Sequence, residues 1–420
     1  MYDLTTLDNG LRILTATLPY VQSVGLGFFL SVGSRYEPDS LAGASHFIEH
    51  MLFKGTPTRP TARDIAEAIE GKGGLFNAST GVETTLYWAK VAAAHLPEAL
   101  DVLSDMLLHA SFDPIEVEKE RAVIAEEIAY SLDAPDSLAQ IRAGELQWPN
   151  HPLGREVAGS RESVAALRRD DLLAFRAAHY RPERTILALA GRVEHREIVA
   201  WAEEHLADWE PGRPPTWEPA PPDSRGPRLH TEFKETEQAH LCFSFAGLPR
   251  DDPDYFALRL LNVILGEGMR SRLFQEVRER LGLAYSIDSY LSAWQDAGAV
   301  GIYAGTAASQ TQAVVRAVLG ELDRLRREPV PPEELRTARE MIQGRIALLL
   351  EDSFAVASWY AQQELLSPEV LEPEEVMARF AAVRPEDIQR LAQRLFRAER
   401  LNLAIVGPFG GEEPVDLSGF

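Results

Sequence analysis

Hydrophobic residues follow two patterns along this chain: short apolar runs, and longer segments in which apolar positions recur at helical spacing. Three short runs predict β-strands, at residues 11–14, 24–30 and 85–89. Three longer segments predict helices, at residues 62–70, 97–108 and 114–129. Because strands and long helices are mixed in one region, the pattern predicts an α+β fold in which an antiparallel-rich sheet packs against helices.

A proline-rich stretch at residues 209–228 divides the chain almost in half. Its seven prolines are too many for a helix or a central strand, so we interpret it as an ordered or semi-rigid linker. A chain of 420 residues is long enough for more than one domain. The linker therefore predicts a first domain at residues 1–208 and a second at residues 229–420.

The two halves share an order of motifs. Residues 65–80 and residues 273–289 each follow the order of a helix, a glycine-containing stop and a strand. Both halves continue with a long amphipathic helix and then with a helix that proline opens, Pro114 in one half and Pro332 in the other. We infer two similar domains that arose by duplication.

The five residues from His46 to His50 carry the strongest chemical signal in the sequence. The two histidines are four positions apart and Glu49 is three after the first, so on a helix all three project from nearly the same face. Such a face can hold one divalent metal through two nitrogens while the carboxylate reaches a metal-activated water. The order His-x-x-Glu-His is typical of inverzincin metallopeptidases. Alone, the string also fits a helix with two core or surface histidines.

A metal bound by two histidines needs a third protein ligand, and the helix after Pro114 offers five glutamates. They are Glu116, Glu118, Glu120, Glu126 and Glu127. The first, third and last lie on one stripe of the helix, whereas Glu126 lies about a quarter-turn away. Val123 and Ile124 lie between Glu120 and Glu127, so we expect this stripe to be packed and its carboxylates to need a cation. A surface position is the alternative for each glutamate.

Composition narrows the classes of partner. The chain has 64 acidic and 42 basic residues, a net charge of -22. Such acidity disfavours nucleic acid and anionic membranes and favours basic partners, although it also serves solubility alone. The single cysteine, Cys242, excludes intrachain disulfides and a cysteine-based zinc site, and its apolar neighbours indicate a core thiol. Without a signal-peptide pattern or a membrane-spanning run, we expect a soluble, cytoplasmic protein.

Five motifs occur along nearly the whole chain, at residues 43–56, 76–80, 118–127, 271–274 and 278–286. In content and order they resemble the pitrilysin and mitochondrial processing peptidase family of zinc metallopeptidases. At this length the chain is similar to the half-length bacterial members that resemble processing peptidases. The resemblance implies two similar domains that form half of a clamshell peptidase.

The resemblance also implies a role for individual residues. His46, His50 and Glu127 correspond to the ligands of one Zn²⁺ per chain, with the preceding glutamate as the alternative third ligand. Glu49 corresponds to the general base that activates water. Glu120 corresponds to an accessory acidic residue one helical stripe upstream of the third ligand.

Three more residues correspond to substrate-binding positions of the family. Asn77 matches the start of the strand that pairs with the substrate backbone, although it would otherwise be interpreted as a turn residue. Arg278 and Tyr285 match an arginine and a tyrosine seven positions apart, which supply donors to a peptide carbonyl or a developing oxyanion. Because the second half has no histidine after His240, the metal site is expected in the first domain only.

The implied function is a zinc-dependent endopeptidase acting on peptides or presequence-like segments. Since the metal site and the Arg278–Tyr285 pair lie on different domains, the implied assembly is a homodimer in which each chain completes the other's site. A heterodimer with a related chain is the alternative assembly. The alternative functions are a non-catalytic structural subunit of the same fold and a general peptide-scavenging protease.

Overall fold

Two β-sheets organise the chain, which a computed structural model describes over residues 2–222, 227–410 and 414–417. Residues 223–226 of the predicted linker lie outside the described residues. Strands β1 to β11 run, in chain order, over Asp3–Thr6, Arg12–Thr17, Ser23–Leu30, Leu75–Thr80, Thr85–Ala92, Thr185–Gly191, Arg228–Phe233, Gln238–Ala246, Ala284–Ala293, Gly298–Ala307 and Asn402–Gly407.

The helices form the second layer of the structure. Helices α1 to α14 run over Ala44–Leu52, Ala62–Glu70, Leu96–His109, Pro114–Asp133, Pro135–Gln147, Arg161–Ala166, Arg169–His179, His195–Leu206, Tyr255–Gly266, Thr311–Arg327, Pro332–Leu349, Ser353–Leu366, Pro373–Ala382 and Pro385–Leu395. A π-helix occupies Phe274–Arg280. Within the described ranges, no helix is both long enough and apolar enough to cross a bilayer.

The two sheets have the same strand order. The first runs β1-β2-β6-β3-β5-β4 and the second β7-β11-β8-β10-β9, so apart from β1 the strands correspond one to one. Each sheet contains one parallel pair, β2 with β6 and β7 with β11, and its other pairs are antiparallel. The predicted α+β fold with two similar sheet-and-helix units is confirmed.

The compact units of the structure are not the contiguous halves that the linker predicted. The first unit comprises residues 1–128, 156–218 and 346–372, and the second comprises residues 129–155, 219–345 and 373–420, as far as these are described. Each unit therefore contains a helix from the other half of the sequence. In the first unit, α12 covers β6, β3 and β2; in the second, α5 covers β11 and β8. Composition marks a linker, but only tertiary packing decides which sheet a helix covers.

Small side chains let α12 lie close to the first sheet. Ala357 and Ala361 of this helix are fully buried against Ala188 and Ala190 of β6. Gly25 of β3 has the same effect, because a Cβ atom there would lie 2.3 Å from the Phe354 Cα atom. Close packing of this kind leaves no room for a larger residue at these positions.

The second unit repeats this arrangement with α5. The helix packs on Cys242 of β8 and Ala404 of β11 through Leu138, Ala139 and Ala143. Cys242 is fully buried, as the sequence indicated, and burial raises the pKa of its thiol to about 12. At neutral pH the thiol is therefore protonated and acts as a small apolar group.

We predict that residues 1–208 do not fold when produced alone. Without α12, the apolar face formed by Leu14, Phe29 and Ile186 is exposed to water, which removes a large part of the first unit's buried area. The fragment should bind a dye specific for exposed apolar surface and should show no cooperative thermal transition. Joining residues 346–372 to residue 218 through a long flexible linker should restore cooperativity. A sharp melting transition of residues 1–208 alone would contradict the prediction.

Candidate metal centre

Helix α1 begins at a turn that fixes its direction. Gly43 adopts a left-handed conformation (φ 92°), and a Cβ atom there would lie 2.6 Å from the Ala158 carbonyl oxygen. The buried Glu37 carboxylate accepts hydrogen bonds from the Gly43 and Ser45 backbone N–H groups, at 2.8 and 2.7 Å. A carboxylate at this position satisfies free N–H groups and favours the positive end of the helix dipole. The helix that carries His46 is therefore rigidly held at its start.

His46, His50 and Glu127 converge at one point. The Glu127 Oε2 atom lies 3.7 Å from His46 Nε2 and 3.5 Å from His50 Nε2. Among the described residues, these three form the one group of histidine, cysteine or carboxylate ligands whose donor atoms lie close enough to hold a metal ion, all within 4.8 Å of one another. Tetrahedral zinc with bonds of about 2.0–2.1 Å separates its ligand atoms by about 3.3 Å. The two separations to Glu127 are close to this value, and the donor set of two imidazoles and a carboxylate is one that zinc accepts.

The same geometry separates the two candidate third ligands. Glu127 from α4 lies over the histidine pair, whereas the adjacent Glu126 is not part of the cluster. The expected packing of this helical stripe is only partly correct. Glu120 and Ile124 are buried, but Val123 is 43% exposed and the Glu127 side chain is 47% exposed. Glu127 is thus about half exposed to solvent, which the periodicity of the helix did not predict.

Glu120 orients one histidine from behind. His50 Nδ1 donates a hydrogen bond to Glu120 Oε2 at 2.9 Å, and Nε2 faces Glu127. In the neutral imidazole this bond selects the tautomer in which Nε2 carries the lone pair. This is the carboxylate–histidine arrangement that orients metal ligands in zinc proteins. Glu120 is 5% exposed, and its second oxygen pairs with Lys54 Nζ at 2.7 Å. Lys54 therefore compensates a buried charge, which would otherwise be costly.

The protonation states also suit a metal site. Burial, together with neighbouring His50, lowers the pKa of His46 to about 4, so the imidazole is neutral at neutral pH. Neutral imidazole is the form that binds metal. The His46 Nδ1 atom is buried and has no hydrogen-bond partner among the described residues. Burial raises the pKa of Glu49, and its hydrogen bond from Thr80 opposes that rise.

Glu49 faces the end of an edge strand. Its Oε2 atom accepts a hydrogen bond from the Thr80 hydroxyl, and Thr80 is the last residue of β4. Strand β4 lies at the edge of the first sheet, with β5 as its one strand neighbour. Asn77 is an exposed residue within this strand and not in a turn, and its side-chain oxygen accepts from the Ala78 N–H at 2.8 Å.

Arg278 and Tyr285 lie together in the second unit. The guanidinium carbon of Arg278 is 5.1 Å from the Tyr285 ring centroid and 4.7 Å from that of Phe274. The π-helix carries Arg278, and β9, the edge strand of the second sheet, carries Tyr285. Tyr285 is 75% exposed, and the Arg278 side chain is also solvent-accessible. This pair thus offers hydrogen-bond donors at a sheet edge, with the guanidinium held between two rings.

Sequence reasoning did not single out three residues of these sites. Lys54 and Thr80 lie inside motifs that were recognised, and Phe274 lies inside a third. Their residue types gave no separate signal, because a lysine, a threonine and a phenylalanine are common at helix ends and in strands. Only the contacts to Glu120, Glu49 and Arg278 show what they do.

Comparison with known families gives two matches that cover most of the chain. Residues 12–161 match the family described as Insulinase (Peptidase family M16), and residues 166–342 match the Peptidase M16 inactive domain. The chain is 38% identical over 412 residues to the uncharacterized zinc protease YmxG of Bacillus subtilis, covering 96% of this chain and 98% of that one. It is also 38% identical over 410 residues to the uncharacterized zinc protease SCO5738 of Streptomyces coelicolor, covering 96% and 89%.

Solved structures show the same fold at lower identity. A protease from Helicobacter pylori superposes with a TM-score of 0.91 at 21% identity, over 97% of this chain and 99% of that one. A peptidase M16 inactive domain from Pseudomonas fluorescens gives 0.90 at 20% identity, over 98% and 100%. A chain of complex III2 from Candida albicans gives 0.83 at 21% identity, over 97% and 96%.

We predict that Glu127→Gln weakens zinc binding by on the order of 100-fold or more, because loss of an outer partner alone costs about 10- to 100-fold. Glu126→Gln removes the same charge one position away and should change the affinity less than about twofold. The measurement is a chelator-competition titration of the full chain. Equal losses in the two variants would mean that net charge, and not coordination by Glu127, governs metal affinity.

Proposed function

This chain belongs to the insulinase family of peptidases, peptidase family M16, and on that premise we propose that it is a zinc-dependent endopeptidase. The observation that carries the proposal is the convergence of His46, His50 and Glu127, with Glu49 beside them. Two relatives that are named zinc proteases, and that match this chain along most of their length, support the proposal.

The proposed mechanism divides the work among the residues of the first unit. His46, His50 and Glu127 would hold one Zn²⁺ per chain, and Glu120 would keep His50 in the tautomer whose Nε2 is free to bind. When bound, zinc would polarise the scissile carbonyl and acidify water. The Glu49 carboxylate would take the proton from the attacking water and deliver it to the leaving amine nitrogen. The raised pKa of Glu49 brings the carboxyl closer to the pH at which it both accepts and releases a proton.

The proposed substrate is an extended peptide that adds to the free edge of β4. The strand ends at Thr80 beside Glu49, so a peptide paired along it would pass the proposed catalytic groups. Asn77, exposed in this strand, would contact the substrate backbone. The net charge of -22 favours basic, presequence-like peptides. Arg278 and Tyr285 would donate to a substrate carbonyl or to the developing oxyanion.

The competing proposal is a non-catalytic subunit of the same fold. A match to the family's inactive domain and the likeness to a complex III2 chain are the observations that favour it. The inactive-domain match covers residues 166–342, however, and none of the four residues of the proposed centre lies there. A complete set of His46, Glu49, His50 and Glu127 favours the enzyme. A general peptide-scavenging protease would use the same centre with a broader substrate range.

We expect Glu49→Gln to lower the rate of peptide cleavage by at least about 100-fold, because it removes the general base. Zinc content should stay unchanged, since Glu49 is not a proposed ligand. The assay compares a basic presequence-like peptide with an acidic peptide of equal length, and Glu126→Gln is the matched control. Absence of zinc from the purified protein, or an undiminished rate in Glu49→Gln, would favour the non-catalytic subunit.

We also propose a homodimer, because one chain carries both the metal centre and the Arg278–Tyr285 pair on separate units; a heterodimer with a related chain is the alternative. Mixing inactive Glu49→Gln and Arg278→Ala chains tests whether the two groups act across chains. At equal amounts, random re-pairing should restore about a quarter of the wild-type rate, since half of the dimers would carry one complete site of two. A mixture that stays inactive, although the chains demonstrably exchange, would contradict catalysis across two such chains.

A further inference from the structure

We propose that Thr80 is a positioning residue that holds the Glu49 carboxylate in place for proton transfer and ties it to the edge strand β4. The inference deepens the proposed peptidase function and rests on it. Thr80 lies outside the string from His46 to His50 and is not one of the three candidate metal ligands found among the described residues.

Glu49 depends on Thr80 for its orientation. Among the described residues, Thr80 is the side chain that hydrogen-bonds the Glu49 carboxylate, and no lysine or arginine pairs with it. A glutamate side chain has several rotatable bonds, so contacts of this kind are needed to hold its carboxylate in one place. The Thr80 backbone also bonds the carboxylate, and a substitution of the Thr80 side chain leaves that bond in place.

Thr80 is itself firmly placed. Its Cα is paired with that of Thr85 in β5. Thr85 is fully buried, and its hydroxyl donates to the Val32 carbonyl oxygen at 2.9 Å. Phe53, the residue that follows α1, contacts Phe76 of β4, with ring centroids 5.6 Å apart. Thr80 is thus held by the sheet, on the same edge strand that the proposed substrate would pair with.

The second unit contains a matching strand-to-helix bond without the metal motif. Ser289 of edge strand β9 donates from its hydroxyl to the side-chain oxygen of Asn262 in α9, at 2.8 Å. Both residues are buried, Ser289 at 4% and Asn262 at 2% exposure. In each unit a hydroxyl of the edge strand thus donates to a side chain of a helix. The acceptor is the proposed base Glu49 in the first unit and the amide of Asn262 in the second. Ser289 accordingly provides an internal control for a purely structural role.

The test compares three variants of the full chain. Thr80→Val removes the hydroxyl and keeps the branched shape, and it should lower kcat by about 10- to 100-fold with KM changed less than about twofold. Thr80→Ser keeps the hydroxyl and should recover most of kcat. Ser289→Ala should lower the melting temperature and leave kcat unchanged. Zinc affinity, measured by chelator competition, should be the same in all three.

A readout that does not require activity completes the test. Crystal structures of the wild type and of Thr80→Val should show the Glu49 carboxylate displaced or in several conformers in the variant. A carboxylate in its original place, or a loss of kcat in Thr80→Val that Thr80→Ser does not recover, would overturn the role of Thr80. If the wild type cleaves no peptide, the proposed function fails, while the carboxylate position still decides whether Thr80 positions Glu49.

Discussion

The structure depends on covering both faces of each sheet. The central strands β3 and β6 are buried along almost their whole length, so apolar side chains on both faces need a packed neighbour. One of those neighbours, α12, comes from the far half of the sequence, and α5 serves the second sheet in the same reciprocal way. Neither sheet can therefore complete its core from a contiguous half of the chain. The sheet that supports α1 and β4, and with them the proposed centre, relies on α12, which begins 301 residues after the end of α1.

The metal centre is built on compensated burial. Glu120 is almost fully buried, which is tolerable because Lys54 and the His50 Nδ1–H group satisfy its two oxygens. The same carboxylate sets the tautomer of His50 and so directs Nε2 towards Glu127. Burial keeps His46 neutral as well. The His50 imidazole is thus held in place and the His46 imidazole is neutral before any metal binds, so less conformational freedom is lost on binding.

The two units share a fold but carry different side chains at the proposed functional positions. Pairing Pro114 with Pro332 places Arg345 opposite Glu127, so a cationic side chain stands in the second unit where the first has the proposed ligand. Arg345 forms an ion pair with Glu267 there. The second unit instead presents Arg278 between two aromatic rings beside an edge strand. An edge strand suits both proposed roles, because it can pair with an extended peptide beside the side chains that flank it.

The sequence by itself determined the local elements and the type of chemistry. Helix α2 begins and ends where periodicity predicted, and proline opens α4 and α11 as expected. The spacing of His46, Glu49 and His50 placed them on one helical face, because that relation is local and follows from 3.6 residues per turn. Tertiary structure decided which sheet α5 and α12 cover, that Glu127 and not Glu126 meets the histidines, and that Thr80 meets Glu49. These contacts join residues far apart in the chain, and their geometry depends on how whole helices and strands pack, which no local pattern of residues records.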